Sequence, residues 1–329
     1  MSVEVREKSQ KNQGLSPIAN STPFWPNNSV PAVFSPQALT FKAANAAILA
    51  GLAKAAYGSY DEAKAAAAAC GLDTFEWIDL NEQFRDVYGF VAGGPEYVVV
   101  AFRGTDPKDW KNWMTDLQAT AARFDWLFQG AAEVGEVHAG FGHALFDAWV
   151  KIESALDKVM PKALIGADPA DMANKTERTL WLTGHSLGAA LAALTGAVFS
   201  MWKDDVRRQV NGIYTFGQPR IGLYKFCGNY DHQLHTRTFR FVNKKDLVPR
   251  IPFRGWDYAD VGQMIHFDSN NEPKLQSAEW NNFLSRNLQS FSDFFDIITR
   301  FNTGVDDHDM AGYEKLVQSK TAKLDALFS

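Results

Sequence analysis

Cysteine is scarce in this sequence, with only Cys70 and Cys227 among 329 residues. The two show no C-x-x-C spacing and no cluster of histidines surrounds them, which excludes a disulfide framework, a structural zinc site and a thioredoxin motif. A single disulfide between Cys70 and Cys227 stays open. We expect the protein to use no metal and no cofactor.

The sequence also lacks an excess of positive charge. Its 33 Lys and Arg residues face 38 Asp and Glu residues, which gives a net charge of −5. Without a basic surplus the protein cannot hold a nucleic-acid backbone by displacing its counterions, so nucleic acid is not expected as a partner. The 46% hydrophobic and 22% charged residues are typical of a folded globular protein and exclude disorder for most of the chain.

No secretory signal is visible, because residues 1–14 contain no apolar core. We expect a cytoplasmic protein by default, unless a leader has been removed. Residues 179–202 carry no Asp, Glu, Lys or Arg, and a run of this kind is typical of a transmembrane helix. The sequence Gly184-His185-Ser186 interrupts this run, so we predict a strand followed by a helix there, and no transmembrane segment.

Strand-like and helix-like segments alternate along the chain, which predicts an α/β fold with a mostly parallel central sheet and helices on both faces. We see no internal repeat and no linker, and expect one domain over residues 1–329. Residues 1–36 hold five of the thirteen prolines and are predicted to form an extended N-terminal tail or strap. Two helices are predicted between residues 35 and 70, broken at Gly58. The other predicted strands are 87–91, 97–102, 180–183, 213–216 and 236–242, and the other predicted helices are 141–160, 187–201 and 291–301.

The pentapeptide Gly184-His185-Ser186-Leu187-Gly188 fits the pattern G-x-S-x-G and lies between an apolar strand and an apolar helix. A serine on so tight a turn has strained backbone angles, and side chains at positions 184 and 188 would collide, which accounts for both glycines. We therefore predict that Ser186 is a nucleophile. The Leu187 N–H, at the start of the helix, is predicted to stabilise an oxyanion. We interpret His185 as a packing residue.

A serine nucleophile needs a base, and in this architecture an acid and then a histidine follow the serine along the chain. The histidines after the motif are His232, His235, His266 and His308. Asp246 lies just past the predicted strand 236–242, at the carboxyl end of the sheet, where the sites of open α/β sheets collect. Only His266, in a strand-like run, and His308, in a polar loop that opens a short helix, follow Asp246. We predict that Asp246 is the acid and His308 the base, and that His266 has a structural role.

A second oxyanion donor is expected after the strand 97–102, where Thr105 can supply both its backbone N–H and its hydroxyl. The residues at about 106–118 then show the start signals of a short helix. Its apolar residues recur at i, i+3, i+4 and i+7, and are Trp110, Trp113, Met114 and Leu117. Such a stripe fits an ordinary core-facing helix. Its position beside the oxyanion donor favours a lid that covers Ser186 in water and turns its apolar face onto a lipid surface.

Together these segments resemble the class 3, fungal-type triacylglycerol lipases. The matching stretches are FRGT at 102–105, NWMTDL at 112–117, VHAGF at 137–141, LTGHSLGAALAAL at 182–194, YTFGQPRIG at 214–222, RFVNKKDLVPRIP at 240–252 and HDMAGYEKL at 308–316, in the order of the family. The two cysteines cannot reproduce the disulfides of the secreted fungal members, so an extracellular setting is not carried over.

The resemblance implies an α/β-hydrolase fold with a lid helix. It also implies a set of site residues: the triad Ser186, Asp246 and His308, the oxyanion donors Thr105 and Leu187, and Asp116 as the residue that holds the Thr105 hydroxyl. The aromatic stretch at about 276–303 is longer than its counterpart in the family. Its role stays open between a wall of the acyl pocket, a second cover and a core helix.

The predicted function is that of a lipase, a serine hydrolase of apolar acylglycerol esters that works through an acyl-enzyme and meets a lipid–water interface. A carboxylesterase, a phospholipase A1 or an acyltransferase would use the same residues. A hydrolase-fold interaction module without turnover is the alternative from another class, and the complete set of site residues disfavours it.

Overall fold

The computed structural model describes residues 33–82, 85–105, 120–127, 134–160, 178–202, 210–275, 277, 280 and 306–329. All of them belong to one compact unit that spans residues 32–329. The predicted lid at 106–118 and the predicted helix 291–301 lie outside the described residues, as does most of the predicted strap at 1–36. The extent of the domain and the role of these segments stay predictions.

The described strands are β1 (Thr74–Glu82), β2 (Arg85–Gly93), β3 (Tyr97–Phe102), β4 (Ala121–Arg123), β5 (Glu136–His138), β6 (Thr179–His185), β7 (Val210–Phe216), β8 (Gly222–Leu223), β9 (Thr238–Asn243), β10 (Tyr258–Ala259), β11 (Gln263–Phe267) and β12 (Pro273–Lys274). The described α-helices are α1 (Ala43–Ala55), α2 (Tyr60–Ala69), α3 (Phe124–Leu127), α4 (Ala139–Val159), α5 (Leu187–Ala197), α6 (Tyr224–Leu234), α7 (Met310–Ser319) and α8 (Thr321–Ala326).

Eight strands of the described part of the chain form one sheet, in the order β1-β2-β3-β6-β7-β9-β11-β12. The central strands from β3 to β11 run parallel, while β1, β2 and β12 pair antiparallel at the edges. Strands β3 and β6 are buried along their whole length, which agrees with their continuous apolar sequences. The prediction of an α/β fold with a mostly parallel sheet is confirmed.

Helices cover both faces of this sheet, as predicted. Successive side chains of a strand point to opposite faces, so Leu182 and Thr183 of β6 mark the two sides. The Thr183 hydroxyl donates to the carbonyl of Leu49 in α1, 3.2 Å away, while Leu182 lies against Gly196 of α5. Helix α1 therefore packs on one face and α5 on the other.

The sequence patterns were less accurate at short elements. The strand predicted from residue 236 begins at Thr238, because residues 235–237 form a 3-10 turn. A second, four-stranded sheet in the order β10-β8-β5-β4 was not predicted, since strands of two or three residues are too short to show an alternating pattern. Helix α6 was also missed.

The run without charged residues at 179–202 forms β6, the turn at Ser186, α5 and a π-helical turn at Val198–Trp202, so the predicted strand followed by a helix is confirmed. Among the described residues there is no helix whose length and apolar character would let it cross a membrane. Cys70 and Cys227 are free thiols, so the disulfide left open by the sequence does not form.

Candidate active site

Ser186 occupies the sharp turn between β6 and α5. Its φ of 56° and ψ of −125° are rare for a residue with a side chain, and the turn holds them in place because the Ser186 N–H donates to the carbonyl of Phe216, 3.0 Å away. The two glycines of the motif are needed on steric grounds. A Cβ at Gly184 would lie 2.3 Å from the Gly188 carbonyl oxygen, and a Cβ at Gly188 would lie 2.4 Å from the Phe102 carbonyl oxygen.

The Ser186 side chain is buried, and its Oγ has no hydrogen-bond partner among the described residues. Leu187, the next residue, is the first of α5. The amides at the start of a helix have no acceptor within the helix and carry its positive end, so the Leu187 N–H is suited to meet a negative oxygen. Its role as an oxyanion donor stays a prediction.

Asp246 and His308 form a buried pair. Asp246 follows the end of β9 at Asn243, and its Oδ2 lies 2.8 Å from Nδ1 of His308. An ionised carboxylate only accepts, so Nδ1 carries the proton and Nε2 of His308 is left as the acceptor. Oδ1 of Asp246 accepts from the Val248 N–H at 2.9 Å, which fixes the orientation of the carboxylate.

Two contacts place His308 close to the turn that carries Ser186. The His308 ring lies against the His185 ring in a tilted arrangement, with centroids 4.4 Å apart. A Cβ on Gly217, which follows the Phe216 carbonyl that accepts from Ser186, would lie 2.8 Å from Nδ1 of His308. The structure therefore gathers the predicted nucleophile, acid and base at the carboxyl end of the parallel strands.

Tyr313, which sequence reasoning missed, completes the surroundings of Asp246. Its hydroxyl accepts from the Asn243 N–H at 3.0 Å and donates to Oδ2 of Asp246 at 2.5 Å. Burial, and then the negative charge of Asp246, raise the pKa of Tyr313 well above its usual value, so the phenol stays protonated and keeps donating. The helical spacing of Tyr313 with Met310 and Val317 marks a buried face of α7 and was the only signal for it.

The loop after β3 lies beside Ser186. A Cβ on Gly104 would be 2.9 Å from Cβ of Ser186, which places the backbone next to Thr105 close to the predicted nucleophile. The guanidinium of Arg103 lies 4.8 Å from the ring centre of Tyr88, a cation–π contact that holds the loop. Asp116 and the four predicted lid residues (Trp110, Trp113, Met114 and Leu117) lie outside the described residues.

His266, the other candidate for the base, has polar contacts at both ring nitrogens. Its Nδ1 lies 2.7 Å from the Ser277 hydroxyl and its Nε2 lies 2.9 Å from the Lys244 carbonyl. A histidine with both ring nitrogens held in this way is suited to a structural role, and that role stays a prediction.

A partly buried ion cluster, in which Arg220 and Arg240 are buried and Arg254 is exposed, connects two loops near the site. Asp260 faces three guanidinium groups, Arg254 at 2.6 Å, Arg220 at 3.3 Å and Arg240 at 3.5 Å. Burial alone would raise the pKa of Asp260, but Arg220 and Arg240 hold it down at about 2. Arg220 also donates to the carbonyls of Arg250 and Pro252, so the cluster joins the loop after β7 to the loop that carries Asp246.

A mostly parallel sheet covered by helices on both faces, with a serine on the sharp turn after a central strand, is the arrangement of the α/β-hydrolase fold. Residues 99–256 match the family model described as lipase (class 3).

Individual relatives agree with this match. Triacylglycerol lipase OBL1 of Ricinus communis is 31% identical over 207 residues, which cover 52% of this chain and 38% of the relative. Phospholipase A1-II 1 of Oryza sativa subsp. indica is 29% identical over 202 residues, which cover 56% of this chain and 46% of the relative. This chain thus spans less than half the length of these curated relatives.

Among solved structures, the triacylglyceride lipase of Rhizomucor miehei superposes with a TM-score of 0.55 at 20% sequence identity, over 76% of this chain and 91% of that chain. The superposition shows that the two share the α/β-hydrolase fold.

Proposed function

We propose that the protein is a serine carboxylic-ester hydrolase of the lipase type, with Ser186, Asp246 and His308 as its triad. The observation that carries the proposal is the buried pair of Asp246 and His308, whose facing atoms are 2.8 Å apart beside the turn of Ser186. The match of residues 99–256 to the class 3 lipase model and the similarity to relatives named triacylglycerol lipase support the same chemistry and an ester of a lipid as substrate.

In the proposed reaction, Nε2 of His308 takes the proton of the Ser186 hydroxyl as Oγ attacks the ester carbonyl. Asp246 stabilises the imidazolium that forms. The negative oxygen of the tetrahedral intermediate accepts from the N–H groups of Leu187 and Thr105. The ester C–O bond then breaks, His308 gives its proton to the leaving alcohol, and Ser186 keeps the acyl group. Water, activated by the same base, attacks the acyl-enzyme and releases the acid.

Phospholipase A1 activity is a second candidate, because relatives with that name match this chain at 29% identity. The bond cleaved is again a carboxylic ester, and the two functions differ in the head group that the site accepts. The triad chemistry is common to both.

The decisive experiment is a rate series over dissolved p-nitrophenyl esters of increasing chain length, a triglyceride emulsion and phosphatidylcholine in mixed micelles. Ser186→Ala provides the blank. A lipase hydrolyses the emulsion and a phospholipase A1 releases fatty acid from the phosphatidylcholine. An esterase acts on the dissolved short esters only. Wild-type rates equal to the blank on every substrate would identify an interaction module and refute the proposal.

We further propose that residues 106–118 form a lid that responds to a lipid–water interface. Its apolar stripe must be covered in water, and exposing it costs ~25 cal/mol per Å². A lipid surface that receives the same stripe shifts the equilibrium towards the open form. Trp113→Asp should therefore depress the rate on an emulsion far more than the rate on a dissolved short ester.

The matched control is Val150→Asp, which makes a similar change at a site on α4 whose side chain is already exposed. It should leave the ratio of the two rates unchanged. If Trp113→Asp lowers both rates together with Tm, the helix belongs to the core and is not a lid.

A further inference from the structure

Tyr57 lies at the carboxyl end of the sheet although it belongs to the first helical region of the described chain. It sits in the turn that ends α1, where its N–H donates to the Lys54 carbonyl. Because α1 packs on β6 through the bond from Thr183 to Leu49, its end comes close to the end of β6 at His185.

The Tyr57 hydroxyl has two partners from distant parts of the chain. It accepts from the Gly104 N–H at 3.1 Å and lies 2.7 Å from Nδ1 of His185. A phenol has one proton, and because the amide of Gly104 is a donor, that proton goes to Nδ1 of His185. His185 must then be neutral. Its burial, and then the nearby His308, lower the pKa of His185 well below its usual value, which agrees with a neutral ring.

The two partners belong to the two halves of the proposed catalytic machinery. Gly104 directly precedes Thr105, the proposed oxyanion donor. The His185 ring packs against the ring of His308, the proposed base, with the two ring planes tilted by 32°. A single hydroxyl group therefore connects the loop that carries Thr105 to the histidine ring that contacts the base.

We propose that Tyr57 is a positioning residue that fixes the loop of Gly104 and Thr105 and the His185–His308 ring pair relative to each other. This inference rests on the proposed ester-hydrolase function. Tyr57 acts through Gly104 and His185 and does not need to touch the substrate. Oxyanion donors accelerate a reaction only when they are held in place before the charge develops, so the hydroxyl serves the transition state and not the binding of the ester.

Tyr57→Phe isolates the hydroxyl, because the ring and its contact with the Arg103 guanidinium at 6.0 Å are retained. The Gly104 amide and Nδ1 of His185 would both lose their bond to the phenol. Since the removal of a whole oxyanion donor costs about 10²- to 10³-fold in kcat, loosening one should cost about 10- to 100-fold, with KM within about two-fold of wild type.

The test measures kcat and KM on p-nitrophenyl butyrate, together with the Ki of an alkyl boronic acid that forms a tetrahedral adduct on the serine. Tyr57→Phe should lower kcat and raise Ki by similar factors. The matched control is Tyr230→Phe, which removes a buried hydroxyl that lies 3.0 Å from the Thr238 hydroxyl, and it should change neither constant. A Tyr57→Phe enzyme with the kcat of wild type, or with an altered KM at unchanged kcat, would overturn the inference.

If Tyr57→Phe does not yield folded protein, His185→Phe provides the test, because it keeps an aromatic ring against His308 and removes only the bond to Tyr57. We expect a kcat about 10-fold below wild type at unchanged KM, and a wild-type kcat would refute the coupling. Failure of the inference about Tyr57 can be distinguished from failure of the proposed function. A wild-type protein that hydrolyses no ester refutes the proposed function, whereas an active wild type with an equally active Tyr57→Phe refutes the role of Tyr57 alone.

Discussion

Tyr313 donates a 2.5 Å hydrogen bond to Oδ2 of Asp246, the same oxygen that faces Nδ1 of His308. The carboxylate thus shares one oxygen between the proposed base and a phenol whose proton stays in place, because the pKa of Tyr313 is raised by burial and by the charge of Asp246. The bond spreads the negative charge that would otherwise be available to the imidazolium of His308.

Removing this hydroxyl should shift the pH profile. In Tyr313→Phe the Asp246 carboxylate loses a donor, so more of its negative charge faces Nδ1 of His308 and stabilises the imidazolium. The acidic limb of kcat/KM, which reports the protonation of the base in the free enzyme, should therefore move to higher pH. We expect kcat/KM at its optimum to fall by about 3- to 10-fold, since the loss of one such bond is worth about 1 kcal/mol.

Tyr97→Phe is the control for this variant, because it removes a hydroxyl that donates to the Cys70 carbonyl. Tyr97 begins β3, at the opposite end of that strand from the site. Its pH profile should match that of wild type. An acidic limb that stays in place in Tyr313→Phe would show that the phenol has only a structural role.

Substitution of two glycines at positive φ distinguishes the effect of backbone strain from the effect of a clash with the site. Gly217 has φ +58° and Gly71 has φ +75°, so Gly→Ala costs about 1 kcal/mol of unfolding free energy from the backbone at either position. Only at Gly217 would the new Cβ meet the site, 2.8 Å from Nδ1 of His308 and 2.9 Å from Oδ2 of Asp246, whereas nothing lies within 4 Å at Gly71.

Esterase assays should therefore find Gly217→Ala at least about 10²-fold less active, because a shift of the triad by a fraction of an ångström is enough. Gly71→Ala should keep the wild-type rate with a slightly lower Tm. Equal activity of the two variants would mean that Asp246 and His308 need not be held where the structure has them.

Asp260 should contribute stability that depends on pH. The pKa of Asp260 is about 2 in the folded chain, against 3.8 for an unperturbed carboxyl, because Arg220 and Arg240 outweigh its burial. A depressed pKa stabilises the fold fully above the unfolded value, and this stabilisation, about 2 kcal/mol, is lost as the pH falls through about 2. Asp260→Asn leaves the buried arginines without their counterion and should cost about 3 kcal/mol at pH 7.

Urea unfolding between pH 7 and pH 2 measures this effect as the difference in unfolding free energy between wild type and Asp260→Asn. The difference should narrow below pH 4. Glu76→Gln, which removes an exposed ion pair with Lys158, should cost less than about 1 kcal/mol. A difference for Asp260→Asn that does not change with pH would contradict the assigned ion cluster.

Sequence patterns predicted those parts of the site that follow from local chain geometry. A serine between two glycines, after an apolar strand and before an apolar helix, can only form a sharp turn, and Ser186 has the positive φ that this requires. Asp246 was expected just past a strand, and β9 ends three residues before it. The sheet and the helices on its two faces were predicted because strand-like and helix-like segments alternate along the chain.

The supporting tyrosines could not be predicted in this way. The Tyr57 hydroxyl bonds to a residue 128 positions away, and the Tyr313 hydroxyl to one 67 positions away. Such contacts depend on how α1 and α7 pack against the ends of the strands, and a tyrosine near a helix end has no local pattern that reveals its partner. The ion cluster around Asp260 was not predicted for the same reason, since its arginines come from three separate segments.

The most direct test of the central claim is kcat on a dissolved p-nitrophenyl ester for Ser186→Ala, His308→Ala and the double variant, with His266→Ala as the matched histidine control. If the three proposed triad residues act as one unit, each single variant falls by about 10⁵- to 10⁶-fold and the double variant falls no further. Asp246→Asn should cost about 10³- to 10⁴-fold, because the nucleophile and base remain. His266→Ala should retain turnover per folded molecule. A His308→Ala enzyme with wild-type kcat, or a His266→Ala enzyme that is folded and inactive, would contradict the account.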